Sequence, residues 1–160
     1  MKEKPIKTNA MRLLDAAGVS YDVEKYEVDE ADLSGTHAAE MMGADADTVF
    51  KTLVTKNPAG DARVFVIPVA YELDLKKCAA ASGDKSLAML HQKELLPLTG
   101  YVRGGCSPIG MKKKFPTYID EAAMLFDRIC VSAGMRGLQL VIAPADLAAF
   151  VDAVFCDITA

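Results

Sequence analysis

Apolar and polar positions change their period several times along the chain, and each change marks an element. Over Asn9–Ala17 the residues Met11, Leu13, Leu14, Ala16 and Ala17 fall on one helical face, with Thr8 or Asn9 to cap and Gly18 to stop. Residues 21–28 alternate instead: Tyr21, Val23 and Lys25 take one face and Asp22, Glu24 and Tyr26 the other, a strand in a mixed environment. A short helix over 37–42 ends at Gly43. Residues 49–56 and 63–70 then read as two strands joined by the turn Asn57-Pro58-Ala59-Gly60-Asp61, a hairpin. Pro68 cannot donate to a ladder, which places its strand at an edge or a bulge. Helical composition follows over 75–81, closed by Gly83, and over 86–95, closed by Pro97. The remainder reads as a strand at 101–103, a glycine-rich loop, a strand at 117–119, a short helix at 121–126, strands at 128–132 and 138–142, a helix at 145–153 and a last strand at 154–158.

Helices and strands mix without a regular βαβ rhythm, so the pattern predicts an α/β fold with a mixed sheet wrapped by helices rather than a doubly wound parallel sheet. At 160 residues, 51% hydrophobic and 25% charged, the chain fits one domain over 1–160 with one core. Its apolar runs are far shorter than the roughly 18–20 residues that span a bilayer, which excludes a membrane helix. Residues 1–5 carry charge with no apolar run behind them, so no secretory signal is expected and the predicted location is the cytoplasm. Cys78, Cys106, Cys130 and Cys156 are widely spaced, form no C-x-x-C pair and stand far from His37 and His91, so neither a metal site nor any other cofactor is expected. Reduced thiols are expected, with Cys130 and Cys156 as small core residues. A net charge of −4 argues against a general DNA-binding surface and confines any nucleic-acid contact to local basic spots: Lys2, Lys4 and Lys7, Lys76-Lys77, and Lys112 to Lys114.

Two features carry candidate chemistry. Gly104-Gly105-Cys106-Ser107-Pro108-Ile109-Gly110 can bring its backbone close to a ligand and present N–H groups to an oxyanion; equally, it can be a tight connection. Lys51, inside Val49-Phe50-Lys51-Thr52-Leu53-Val54, shares its face with Val49 and Leu53, where an ammonium group needs water, a counter-ion or a ligand. It either guards a sheet edge or lines a cleft and meets an anionic or carbonyl group.

Four blocks in order and spacing distinguish these readings: Val49 to Val54, Leu73-Asp74-Leu75-Lys76-Lys77, Thr99-Gly100-Tyr101 with the Gly104–Gly110 loop, and Ser132-Ala133-Gly134-Met135-Arg136-Gly137-Leu138. Together they resemble the YbaK-type aminoacyl-tRNA deacylases, a family that includes the editing domain inserted in bacterial prolyl-tRNA synthetases, and the likeness runs from the first helix to Ile158. It implies one editing domain built on a mixed, strongly curved β-sheet surrounded by short helices. The implied activity is hydrolysis of the aminoacyl ester of mischarged tRNA(Pro), foremost Cys-tRNA(Pro). The implied partners are the tRNA(Pro) acceptor end and prolyl-tRNA synthetase, with no membrane and no DNA. A non-catalytic module binding aminoacyl-tRNA or a nucleotide-like ligand is the alternative.

The resemblance also implies roles. Lys51 would hold the terminal adenosine or the ester by charge-assisted hydrogen bonds, and the amides of Gly104 and Gly105 would stabilise the tetrahedral oxyanion. Tyr26, Thr52, Ser107, Pro108, Arg136 and Gln139 would shape the substrate pocket, and Lys112, Lys113 and Lys114 would meet acceptor-stem phosphates. Gln139 departs from the acidic residue that many relatives of this branch carry after R-G-L, which bears on amino-acid specificity because an amide cannot act as a base. The family lacks a protein nucleophile; a bound water, or the thiol of a cysteinyl substrate, attacks instead. Cys106 is accordingly expected to pack, and neither His37 nor His91 has a catalytic assignment.

Overall fold

A computed structural model describes residues 6–160; Lys2, Lys4 and the signal-peptide reading of 1–5 lie outside the described residues. Helix α1 (Asn9–Ala17) runs as its periodicity requires, with the Thr8 hydroxyl accepting from the Met11 amide at 3.3 Å and Gly18 closing it at φ +70°. Strand β1 (Asp22–Lys25), helix α2 (Gly35–Met42), strands β2 (Phe50–Lys56) and β3 (Ala62–Pro68) and helix α3 (Leu75–Ser82) follow. Next come β4 (Ala88–Met89), α4 (Gln92–Thr99), β5 (Thr117–Asp120), a 3-10 turn (Glu121–Leu125), β6 (Ile129–Ser132), β7 (Leu138–Ile142), α5 (Pro144–Val151) and β8 (Val154–Cys156).

The expected mixed sheet is present as two hydrogen-bonded pieces. Five strands in the order β4-β2-β3-β5-β8 form one, antiparallel at the β2–β3 hairpin and parallel from β3 to β5 and β8. Antiparallel β1-β7-β6 forms the other, and a single bridge between Val49 and Cys130 joins them. Strand β3 explains the arrangement. Val64, Phe65, Val66 and Ile67 are all fully buried, so both its faces need covering. Val66 packs with Phe50 and Ile119 against Ile129, Val131, Leu138, Leu140 and Ile142 of the smaller sheet, with α1 and α5 closing that core. Phe65 and Ile67 pack on the opposite side with Cys78 and Ala79 of α3.

Several sequence expectations change. Pro68 is the last residue of a central strand rather than a sign of an edge: it pairs with Phe50, beyond the Val64–Val66 stretch that β5 reads, so no ladder donor is lost. No helix covers 86–95. Ala88 and Met89 pair with Lys56 and Thr55 along the outer side of β2, and α4 begins at Gln92 and continues through Pro97. The proline removes one helical donor, but Leu95 and Leu98 pack beside Val54, Val64 and Cys106, and that tertiary contact outweighs the local preference. Residues 101–103 form a turn, not a strand, and the strand expected over 21–28 keeps only four ladder residues, with the Tyr26 amide donating to the Gly137 carbonyl at 3.0 Å just past its end.

Gly35 opens α2 against the end of β3: a Cβ added there would stand 2.5 Å from Val69 Cγ1 and 2.8 Å from Val69 Cβ. Gly35→Ala is therefore expected to cost about 1–3 kcal/mol in a denaturant melt, through displacement of α2. An unchanged midpoint would mean the helix does not depend on this contact.

Candidate functional site

A cavity of about 290 Å³ opens beside the N-terminal half of β2. Its wall takes Phe50, Lys51, Thr52 and Leu53 from β2, Leu33, Ser34 and Gly35 from the entry to α2, and Arg103, Gly104 and Cys106 from the glycine-rich loop. Tyr26, Ser132 and Gln139 come from the smaller sheet and its flank. Chain segments far apart in sequence thus meet at the place where the two sheets are joined by one bridge.

Three groups in this wall lack partners. Among the described residues Lys51 has neither a hydrogen bond nor a carboxylate within 4 Å. It is half-buried, and burial draws its pKa below the ordinary lysine value, an effect only partly opposed by the charge of Glu72. Thr52 Oγ1 and Gln139 Oε1 are buried with no hydrogen-bond partner in the protein. Unsatisfied buried polar atoms are costly, and both belong to residues of the cavity wall. Gln139 sits opposite Ser132 in the β6–β7 register, and the Ser132 hydroxyl oxygen accepts from the Gly134 amide at 3.1 Å, leaving its proton free to donate.

The two adjacent glycines do different things. Gly104 lies at φ +85°, lines the cavity, and its N–H has no protein acceptor among the described residues. The Gly105 amide is already engaged, donating to the Val102 carbonyl at 3.0 Å. Gly105 is needed for contact instead: an added Cβ would lie 3.1 Å from both Met135 Cα and the Arg136 backbone nitrogen. The loop at 102–106 and the loop at 134–137 therefore touch backbone to backbone, and one hydrogen bond from Arg136 Nε to the Arg103 carbonyl (2.8 Å) reinforces the contact.

Of the site residues expected from sequence, the structure brings together Lys51, Gly104, Tyr26, Thr52 and Gln139. Ser107 is fully buried with its hydroxyl accepting from the Ile109 amide at 3.2 Å. Pro108 faces a separate depression with Lys113 and Lys114, and Arg136 borders a smaller one with Glu27 and His37. Lys112 Nζ donates to the Pro97 carbonyl at 3.2 Å near the C-terminal end of α4, and Lys114 lies 3.5 Å from Asp152. Cys106 reaches the cavity wall, but burial pushes its thiol up to about 12, so it stays protonated at neutral pH. Arg103, Ser132 and the 33–35 segment were not singled out from sequence. Ser132 stood in a quoted block without a role, while nothing in the local pattern of 33–35 shows that it folds over β2.

Beside the cavity, the His37 ring lies 3.0 Å from Asp29, 3.3 Å from Glu40 and 3.9 Å from Asp32. Partial burial alone would lower its pKa, but the Glu40 hydrogen bond and the charges of Asp32 and Asp29 outweigh it and leave the pKa raised. Among the described residues no group of three His, Cys, Asp or Glu side chains is placed to hold a metal, and no helix is long and apolar enough to cross a membrane.

A mixed two-sheet α/β scaffold holding a cavity between a lysine strand and a glycine loop is the arrangement of an editing domain. The sequence profile of the aminoacyl-tRNA editing domain matches residues 32–150, and the chain belongs to that family. It is 47% identical over 158 residues to a protein of Enterococcus faecalis (strain ATCC 700802 / V583) named "Putative Cys-tRNA(Pro)/Cys-tRNA(Cys) deacylase EbsC", covering 99% of this chain and 96% of that one. It is 32% identical over 105 residues, 65% of this chain, to the proline–tRNA ligase of Shouchella clausii (strain KSM-K16), of which those residues are 18%. The same fold occurs in the crystal structure of "a putative trans-editing enzyme for prolyl tRNA synthetase", with a TM-score of 0.82 at 24% identity over 97% of this chain and 99% of that one.

Two stability measurements test the electrostatics. Because the folded chain holds the Lys51 proton less tightly than the unfolded chain does, the charged lysine costs stability at neutral pH, and the cost fades as pH rises through its lowered pKa. Lys51→Met is expected to raise the thermal midpoint at pH 7 by on the order of 1–3 °C, the gain shrinking as pH rises through the lowered pKa and vanishing above the ordinary lysine value of about 10.4; a lowered midpoint would contradict this. His37 has the opposite sign: its raised pKa gives stability that is fully present below about pH 6.5 and lost as pH rises through the folded value. The wild-type advantage over His37→Gln should accordingly be largest in mild acid, and a pH-independent difference would show that the three carboxylates do not hold an imidazolium.

Proposed function

We propose that this chain hydrolyses the ester joining an amino acid to the terminal adenosine of a mischarged tRNA for proline, with cysteine the preferred amino acid. One observation carries the reading: among the described residues, a half-buried lysine with no carboxylate within 4 Å lines the same cavity as a glycine whose amide has no acceptor and two residues whose buried polar atoms have no partners. The wall supplies positive charge and hydrogen-bonding groups and no activated nucleophile, a set suited to a substrate that is already an activated ester. The name carried by the Enterococcus relative and the family itself agree with this substrate class.

In this reading water attacks the ester carbonyl carbon, negative charge develops on the carbonyl oxygen, and the Gly104 N–H with the Lys51 ammonium stabilises it. The tetrahedral species then collapses, the bond from carbon to ribose oxygen breaks, the proton lost by the attacking water goes to that oxygen to give the hydroxyl of the tRNA 3′ end, and the free amino acid departs. Thr52 Oγ1 and Gln139 Oε1 gain their missing bonds from the aminoacyl group, and Tyr26 bounds the pocket beside them. In the cysteinyl substrate the thiol can replace water as the attacking group: sulfur bonds to the carbonyl carbon, its proton goes to the departing ribose oxygen, and the amino acid leaves as a four-membered thiolactone, with the roles of Lys51 and Gly104 unchanged. Gly105 and Ser107 act by holding the loop in shape. The enzyme works in the cytoplasm on the tRNA(Pro) acceptor end, on tRNA released from, or held by, prolyl-tRNA synthetase.

Deacylation of Cys-, Ala-, Ser- and Pro-tRNA(Pro) by the purified protein tests this. Cys-tRNA(Pro) should be cleared fastest, Lys51→Ala should reduce clearance by about 100-fold or more, and Cys106→Ala should stay within a few-fold of wild type. Clearance of every substrate at the buffer rate would leave a binding module. Full activity of Lys51→Ala would remove the lysine from the reaction, and loss of activity in a folded Cys106→Ala would make the thiol a participant.

A further inference from the structure

Resting on that reading, the structure assigns a second cation to the substrate. We propose that Arg103 binds the phosphate on the 5′ side of the terminal adenosine, and so sets how far the tRNA end enters the cavity. The chemistry of the substrate requires such a contact to be close: the nearest phosphate is one ribose away from the ester, so it must sit at the mouth of whatever cavity holds the acyl group.

Arg103 lies at that mouth, lining the cavity next to Gly104. Its carbonyl is fixed by Arg136 Nε, which anchors the backbone at this residue, yet among the described residues its own guanidinium makes no hydrogen bond and has no carboxylate within 4 Å. The other cations are differently placed or already engaged. Arg136 spends Nε on the Arg103 carbonyl and lies 3.6 Å from Glu30 through Nη1. Lys112 is tied to the Pro97 carbonyl, and Lys114 stands beside Asp152 on a different depression. Lys51 is deeper in the wall. In a chain of net charge −4, an exposed, unpaired arginine with five planar donors at the entrance to an acyl pocket fits a phosphodiester bidentately. Arg103 is a positioning residue: it touches the substrate away from the reacting bond and should alter binding rather than the chemical step.

The test uses two non-hydrolysable ligands, adenosine carrying a 3′-cysteinyl amide, with and without a 5′-methyl phosphate, and measures their Kd by calorimetry on the full chain. Wild type should bind the phosphorylated ligand about 10- to 100-fold more tightly. Arg103→Gln should abolish that preference while leaving the affinity for the unphosphorylated ligand unchanged, Arg103→Lys should restore part of it, and Lys112→Gln should keep it whole. The proposal is overturned if wild type fails to prefer the phosphate or binds neither ligand, if Arg103→Gln retains the preference, or if it weakens both ligands equally, which is the mark of a structural role. Turnover of Cys-tRNA(Pro) is scored separately: a phosphate preference that depends on Arg103, with no turnover in wild type, sinks the deacylase reading and leaves the phosphate site standing.

Discussion

The proposed chemistry rests on a half-buried ammonium group that has no carboxylate within 4 Å among the described residues. Lys51 sits on the strand next to the most buried segment of the fold, where burial lowers its pKa and, among the described residues, no carboxylate lies within 4 Å. β4 pairs with β2 only at Thr55 and Lys56, so among the described residues the Lys51 half of that edge has no strand partner and opens onto the cavity. The cost of keeping the charge there is repaid only when a polar group enters the cavity. Thr52 and Gln139 add two buried polar atoms without hydrogen-bond partners in the same wall, and under the proposed function a bound aminoacyl end supplies those bonds.

The scaffold makes that position possible. Because β3 is buried on both faces, β2 is fixed in register against it from Phe50 to Lys56, and Lys51 cannot drift along the sheet. The glycine loop is located by a different device, the close approach of Gly105 to the backbone of Met135 and Arg136. That contact ties the loop to the turn leaving β6, so the Gly104 amide and the polar pair Ser132 and Gln139 are carried by one unit. Hydrophobic packing positions the lysine strand, and close packing of two loops positions its hydrogen-bonding counterparts.

Much of this was legible in the residues. The first helix and its cap, the hairpin and the strand over Leu138–Ile142 follow from local periodicity and punctuation, where short-range preference and burial agree. The four separated motif blocks pointed to the family, and Lys51 with Gly104 to the cavity. What failed did so where tertiary contact decides. Residues 86–95 have helical composition, but Ala88 and Met89 pair with the outer side of β2 and the helix starts only at Gln92, and Pro97 is held inside it by Leu95 and Leu98. Gly104 and Gly105 look equivalent in sequence, yet the amide of one is free and that of the other is spent on Val102, a distinction set by the turn geometry alone. Arg103 and the residues before α2 gave no signal because their importance lies in what folds opposite them.

The most direct test of the central claim is the titration of Lys51 itself, followed by NMR of 13C-labelled lysine as the 3′-cysteinylamide of adenosine is added. The account predicts that Lys51 titrates below the other lysines in the free protein and that its resonance is the lysine signal most displaced by the ligand. A Lys51 that titrates in the ordinary lysine range and does not respond to bound ligand would contradict it.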